Sequence, residues 1–327
     1  MTTGDAAALP APPAQPILLT VLGGYLGAGK TTLLNHLLRH ADGRRLGVIV
    51  NDFGSINIDA ALIESRAGET LTLANGCVCC SVSGGFAEAL RELSRRSPPP
   101  EQVIIEASGV ADPVKVGYFA SLPPYRLDGV VVVVDAETIR ARTADKYVGG
   151  AVLRQLQGAD LIVLNKIDLI ADTERPGLRA WLRSRVPAGR IVETGHGRAP
   201  AAMLLGPHGA ATPRPRDGGH SGAHEHDHAA QYASASVTFE TPLHEAQFRD
   251  IVGGWPPTVL RAKGVIRLVE DPTRRHVFQL VGRRWSLEAD RAWGPDLPVT
   301  QIVTIGLAGQ FDGDALLAAL TRGASIP

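Results

Sequence analysis

The stretch Ile17-Leu18-Leu19-Thr20-Val21-Leu22-Gly23-Gly24-Tyr25-Leu26-Gly27-Ala28-Gly29-Lys30-Thr31-Thr32-Leu33-Leu34-Asn35-His36-Leu37-Leu38 decides the fold. Ile17–Leu22 reads as a buried strand. Leu33, Leu34, Leu37 and Leu38 recur at helical spacing and predict a helix over Thr31–His40 with one apolar stripe. Between them stands Gly24-x4-Gly29-Lys30-Thr31, a Walker A phosphate loop in the strand-to-helix setting that the pattern needs. Gly24, Gly27, Ala28 and Gly29 can turn backbone N–H groups around a phosphate, and the helix N-terminus adds its dipole. Lys30 is the expected partner of the β- and γ-phosphates. Thr31 is the expected Mg²⁺ ligand, with Thr32 beside it in the cradle.

Working outward, short Val/Ile-rich runs alternate with amphipathic segments. Strands are expected at Leu46–Val50, Val103–Glu106, Val130–Asp135, Asp160–Leu164 and Arg190–Val192, and a second helix at Gly84–Ser94. Runs that are apolar on both faces suit a sheet covered by helices on both sides. The expectation is an α/β, doubly wound, mostly parallel P-loop domain over residues 17–205, after a disordered Ala/Pro leader at 1–16.

The strand at Asp160–Leu164 ends in Asn165-Lys166-Ile167-Asp168. A carboxylate at Asp168 can accept both edge N–H groups of guanine, a donor pattern that adenine does not offer. Lys166 can lay its stem on the base, and Asn165 can bridge to neighbouring loops. GTP is therefore expected over ATP, with Glu193–Gly197 as a further base-contacting loop. Two acidic positions bear on hydrolysis. Asp52, in the Asn51–Asp59 switch segment, is a candidate for positioning water or Mg²⁺. Glu106 stands where a Walker B aspartate is usual, and the Gly109 amide behind it can sense the γ-phosphate.

All three cysteines fall within Cys77-Val78-Cys79-Cys80. Thiolates at this spacing suit Zn²⁺, with Co²⁺ or Fe²⁺ as alternatives. Three ligands leave one tetrahedral position for water, another side chain, a client or a second protomer. A cargo site and a structural site both remain open on this reading. Residues 206–232 carry five of the ten histidines: His208, His220, His224, His226 and His228. They read as a flexible linker whose His224–His228 run can capture metal as an auxiliary site. Over 233–327, consecutive strands with few helices predict a smaller α+β domain. Its first helix should start at Thr241-Pro242, with proline at the first helical position.

Lys+Arg and Asp+Glu are both 33, which gives no electrostatic footprint for nucleic acid and no polybasic membrane patch. No apolar run is long enough to span a bilayer, and the start of the chain does not read as a signal peptide, so the cytoplasm is the expected compartment.

Gly24–Thr32, Asn51–Asp59, Gly76–Cys80, Glu106–Pro113, Asn165–Asp168 and Leu260-Arg261-Ala262-Lys263-Gly264 together resemble the CobW-like family of P-loop GTPases. The resemblance implies a slow GTPase, stimulated by metal or partner, that loads or releases zinc or cobalt for a client metalloprotein. A homodimer stays open. Tyr25 stands where the family commonly has Phe, and Asp52 where it has Glu. A regulatory GTPase with a structural metal site is the rival reading. An ATP-dependent small-molecule kinase is disfavoured by Asn165–Asp168.

Overall fold

Strands that are apolar on both faces need cover on both, and the first half of the chain is built around that requirement. The computed structural model describes residues 15–41, 43–51, 68–73, 83–187, 189–206, 232–294 and 297–324. At its centre lies β1 (Ile17–Gly23), in one sheet with β2 (Leu46–Asn51), β3 (Gly68–Leu73), β4 (Gln102–Glu106), β5 (Tyr125–Asp135), β6 (Leu161–Asn165) and β7 (Arg190–Glu193). The order is β3-β2-β4-β1-β5-β6-β7. Every neighbouring pair is parallel, so all C-terminal ends share one edge. Strand order changes direction at β1, and ligands of such sheets bind outside the carboxyl ends at that crevice.

Among the described residues, five helices cover one face: α2 (Ser83–Ser94), α3 (Pro113–Gly117), α4 (Ile139–Ala144), α5 (Gly149–Gly158) and α6 (Arg175–Arg185). Leu90, Val116, Val152 and Leu182 pack there against Leu19, Ile105, Val132 and Ile162. The other face receives α1 (Lys30–Arg39), whose Leu33, Leu34, Leu37 and Leu38 are at most 5% exposed, and the short α7 (Ala201–Leu205). These two helices leave part of that face open.

The second half of the chain closes it. β8 (Tyr232–Phe239), β9 (Val259–Ile266), β10 (Arg274–Val281), β11 (Arg284–Ala292) and β12 (Thr300–Leu307) form an antiparallel sheet in the order β11-β10-β9-β12-β8. α8 (Glu245–Gly253) and α9 (Gly313–Ala324) complete this α+β unit. Phe278 is ringed by Phe248, Trp255 and Trp285 in its core. Leu260, Val281 and Ile305 pack into the same cluster as Val131, Leu161 and Val163, so the second sheet joins the core of the first. A buried polar network crosses the seam. Arg261 donates from both terminal nitrogens to the Asp128 carboxylate at 3.0 Å, and Thr20 and Gln102 bond the same carboxylate at 3.2 Å.

Three elements differ from the sequence expectation. β3 was absent from it, because one short strand at the sheet edge offers little apolar signal. No helix begins at Thr241-Pro242; α8 starts at Glu245, after His244. Leu243 is drawn instead into a bridge with Leu268, and its burial at 0% outweighs the local helix-start pattern. Tyr232, expected within the linker, already pairs with Leu307 as the first residue of β8. Among the described residues no helix is long and apolar enough to cross a membrane.

Candidate functional site

The carboxyl edge of the first sheet collects the predicted phosphate-loop, Glu106–Gly109 and Asn165–Asp168 residues. Between β1 and α1 the phosphate loop turns on Gly24 (φ 135°) and Gly29 (φ 101°), conformations that side chains rarely adopt. A Cβ on Gly24 would lie 2.3 Å from Val133 O, and one on Gly29 would lie 2.3 Å from Asn165 Nδ2. Glycine is thus needed twice, once for the turn and once for room. Gly29 caps α1 without a side-chain bond, and the first turn holds no acidic residue. The positive end of α1, opened by Lys30, is left for an anion.

β4 runs beside β1 and ends at Glu106, which is 2% exposed. Thr31 Oγ1 donates to Glu106 Oε1 at 2.9 Å. A hydroxyl and a carboxylate held together at a helix N-terminus are hard oxygen donors of the kind Mg²⁺ takes, directly or through water. This donor set fits a Mg²⁺–nucleotide complex. The Ser108 hydroxyl sits two residues further, 7% exposed and without a hydrogen-bond partner among the described residues. The sequence places it within Glu106–Pro113 but assigns it no role. Gly109 presses on the phosphate loop: a Cβ there would stand 2.8 Å from Leu26 N.

The base side is built around Asn165, 2% exposed at the tip of β6. Its Nδ2 donates to Ala28 O at 2.9 Å, and its Oδ1 accepts from Gly197 N–H at 2.8 Å. One amide therefore joins the phosphate loop to the 193–197 loop. Lys166 takes a left-handed conformation (φ 63°), and its Nζ pairs with Asp135 Oδ2 at 2.8 Å. Asp135 closes β5 and was not singled out in the sequence. It fixes the ammonium and leaves the lysine stem for a ring. The Asp168 side chain stays 32% exposed, with His196 Nε2 3.5 Å from its Oδ2. A Cβ on Gly195 would come within 2.7 Å of Asp168 Oδ1, so glycine keeps that carboxylate free to move.

Asp52, Cys77, Cys79 and Cys80 lie outside the described residues, as do His208, His220, His224, His226 and His228. The elements that flank the cysteines are described. β3 ends at Leu73 on the carboxyl edge of the sheet, and α2 begins at Ser83. β2 pairs with β4 with Val50 opposite Glu106, which puts its last residue, Asn51, at the same edge. Among the described residues no group of three His, Cys, Asp or Glu side chains could hold a metal ion.

Fold and site together define a P-loop nucleotide-binding protein of the parallel α/β type with an appended α+β domain. The profile described as CobW/HypB/UreG, nucleotide-binding domain, matches residues 18–192, and that of the cobalamin synthesis protein cobW C-terminal domain matches 232–323. The chain belongs to this CobW/HypB/UreG family. It is 35% identical to a zinc chaperone CobW from a Sinorhizobium species, over 92% of this chain and 96% of that one. It is 31% identical to the zinc chaperone YjiA of Escherichia coli, over 90% and 95%. With the zinc-regulated GTPase metalloprotein activator 1 of Schizosaccharomyces pombe it shares 33% identity, over 56% of this chain and 47% of that one.

Proposed function

We propose that the chain is a GTP-hydrolysing metallochaperone that holds a transition metal at Cys77, Cys79 and Cys80 and hands it to a client metalloprotein. The observation that carries the nucleotide half is Asn165, whose amide locks the guanine-type motif to the phosphate loop. The phosphate loop and α1 N-terminus bind the phosphates, with Lys30 on the β- and γ-phosphates. Thr31 and Glu106, with Asp52, supply the oxygens for Mg²⁺. That ion, when bound, neutralises charge developing on the phosphates. Asp168 accepts from the guanine edge while Lys166, steadied by Asp135, covers the ring.

The metal half rests on the three clustered thiols and on the zinc-related names of relatives that align along most of the chain. Zn²⁺ is the proposed cargo. Three thiolates with one open position suit transfer by ligand exchange. The switch segment that begins at Asp52 precedes the thiols in the chain, so ordering around the γ-phosphate can change metal affinity. By linkage, metal must then change GTP affinity by the same factor.

The test is anaerobic Zn²⁺ titration of the full chain with a non-hydrolysable GTP analogue and with GDP. The expected result is a difference of about 5-fold or more between the two forms, lost in Cys77→Ala. Equal affinities, with GTPase activity unchanged in that variant, would overturn the coupling. Mild chelation should remove the ion and leave the fold intact; unfolding on chelation would favour the structural-site reading.

A further inference from the structure

Gln155 sits in the middle of α5 and is 3% exposed. Its neighbours on the same helical face, Val152 and Leu156, are apolar and buried at 2% and 1%. A leucine at 155 would continue that face at a lower desolvation cost. The amide is used elsewhere. Gln155 Nε2 donates to Gly109 O at 3.1 Å and to Ala111 O at 2.8 Å. Both acceptors belong to segment 106–112, which leaves β4 and passes the phosphate loop.

Both ends of that segment have their own fastenings. Glu106 accepts from Thr31, and Asp112 caps α3 by accepting from Val114 N–H at 3.0 Å. Its middle has no long side chain with which to hold itself. Ala107 N–H bonds Leu22 O of β1 at 2.9 Å and Ala111 N–H closes a turn on Ser108 O at 2.9 Å; from Gly109 to Ala111, Gln155 supplies the hydrogen bonds from another element among the described residues. A planar peptide moves as a unit, so pinning two carbonyl oxygens fixes the Gly109–Val110 and Ala111–Asp112 planes and the N–H groups on their opposite edges. Those N–H groups are Val110's and Asp112's; the Gly109 N–H belongs to the preceding Ser108–Gly109 plane, which is joined to the pinned one at the Gly109 Cα.

We propose that Gln155 is a positioning residue for GTP hydrolysis: it holds the segment carrying Ser108 and Gly109 in register with the phosphate loop, and so sets the groups that face the γ-phosphate. This rests on the GTPase reading above. GDP lacks the γ-phosphate, and its binding draws on the phosphate loop and Asn165–Asp168, so Gln155 should separate turnover from GDP affinity.

The test uses the full chain with Gln155→Leu and Gln155→Glu, measuring kcat and KM for GTP and Kd for a fluorescent GDP. Both variants should lose about 10- to 100-fold in kcat, the scale of a small misplacement of reacting groups, while GDP Kd stays within about 2-fold of the parent. Gln155→Glu keeps the shape and, when ionised, lacks the donor. Its activity relative to the parent should recover as pH falls and the carboxyl protonates, whereas Gln155→Leu should stay low throughout. Parental kcat in both variants would overturn the assignment, as would loss of GDP affinity in step with kcat. If the parent chain hydrolyses no GTP, the GTPase reading falls and takes this inference with it; an active parent with active variants overturns the role of Gln155 alone.

Discussion

Asn165 makes opposite demands on its two hydrogen-bond arms, and both are met inside the protein. Asn165→Ala would strand Ala28 C=O and Gly197 N–H, both buried. Each orphaned group costs about 1–3 kcal/mol. GDP and GTP affinity should fall together by about 10-fold or more, read by fluorescent-nucleotide titration. Asn165→Asp, which keeps the acceptor arm, should fall between. Unchanged affinity in Asn165→Ala would show that the two loops hold their places without the bridge. Much of this site was legible in the sequence, because the phosphate and guanine motifs are contiguous and each residue type has one dominant use there. Asp135, Ser108 and Gln155 were not. Their partners lie 31 and 44–46 positions away along the chain for Asp135 and Gln155, and only strand order brings them together. Ser108 lies within the Glu106–Pro113 segment, but its lack of a hydrogen-bond partner among the described residues shows only in the fold.

Elements follow the same division between local pattern and tertiary demand. The buried stripe of α1 was readable as helical periodicity and the parallel strands as short apolar runs, whereas Leu243 shows burial overriding a helix-start signal. The β10–β11 hairpin is a further case. Its two-residue turn, Gly282-Arg283, is evident between two strands, yet its tip is pressed into the first domain. Arg283 donates its N–H across the seam to Asp160 O at 3.0 Å, while Gly282 (φ 53°) donates to Leu260 O of its own domain at 2.9 Å. A Cβ on Gly282 would fall 1.6 Å from Asp160 O, so the backbone would have to shift. Gly282→Ala should therefore destabilise the chain by about 2 kcal/mol or more, through strain and lost docking. Urea denaturation reads this directly. A variant within about 0.5 kcal/mol of the parent, the range of ordinary surface changes, would mean that the hairpin does not bear on the seam.

Across the whole molecule, the second domain sits on the face of the first sheet that α1 and α7 leave open, and the polar contacts of the seam gather at the amino-terminal feet of β5 and β6. Asp128 and Asp160 stand there, while Asp135 and Asn165 stand at the opposite ends of the same strands, where Asn165 bonds the phosphate loop. Arg261 and Asp128 have side chains 0% exposed, so Arg261→Met should cost about 3–5 kcal/mol by leaving a buried carboxylate unpaired. Lys263, two residues along β9, carries the opposite problem. Burial first, then the Arg261 and Arg44 guanidinium groups, hold its pKa below the usual 10.5, with Asp128 and Glu101 pulling the other way. Between the lowered folded value and 10.5 the unfolded chain binds more protons at this site. Its contribution to stability must then rise with pH across that window and level off above it. Lys263→Met removes both the half-buried charge and the titration. The variant should be more stable than the parent at pH 7, and its advantage should shrink as pH climbs toward 10. Unfolding free energies from urea melts at pH 7, 8, 9 and 9.5 measure that difference, from which titrations shared by the two chains cancel. A difference that stays constant with pH would mean that Lys263 titrates as it does in the unfolded chain, and that the seam does not penalise a positive charge at that position.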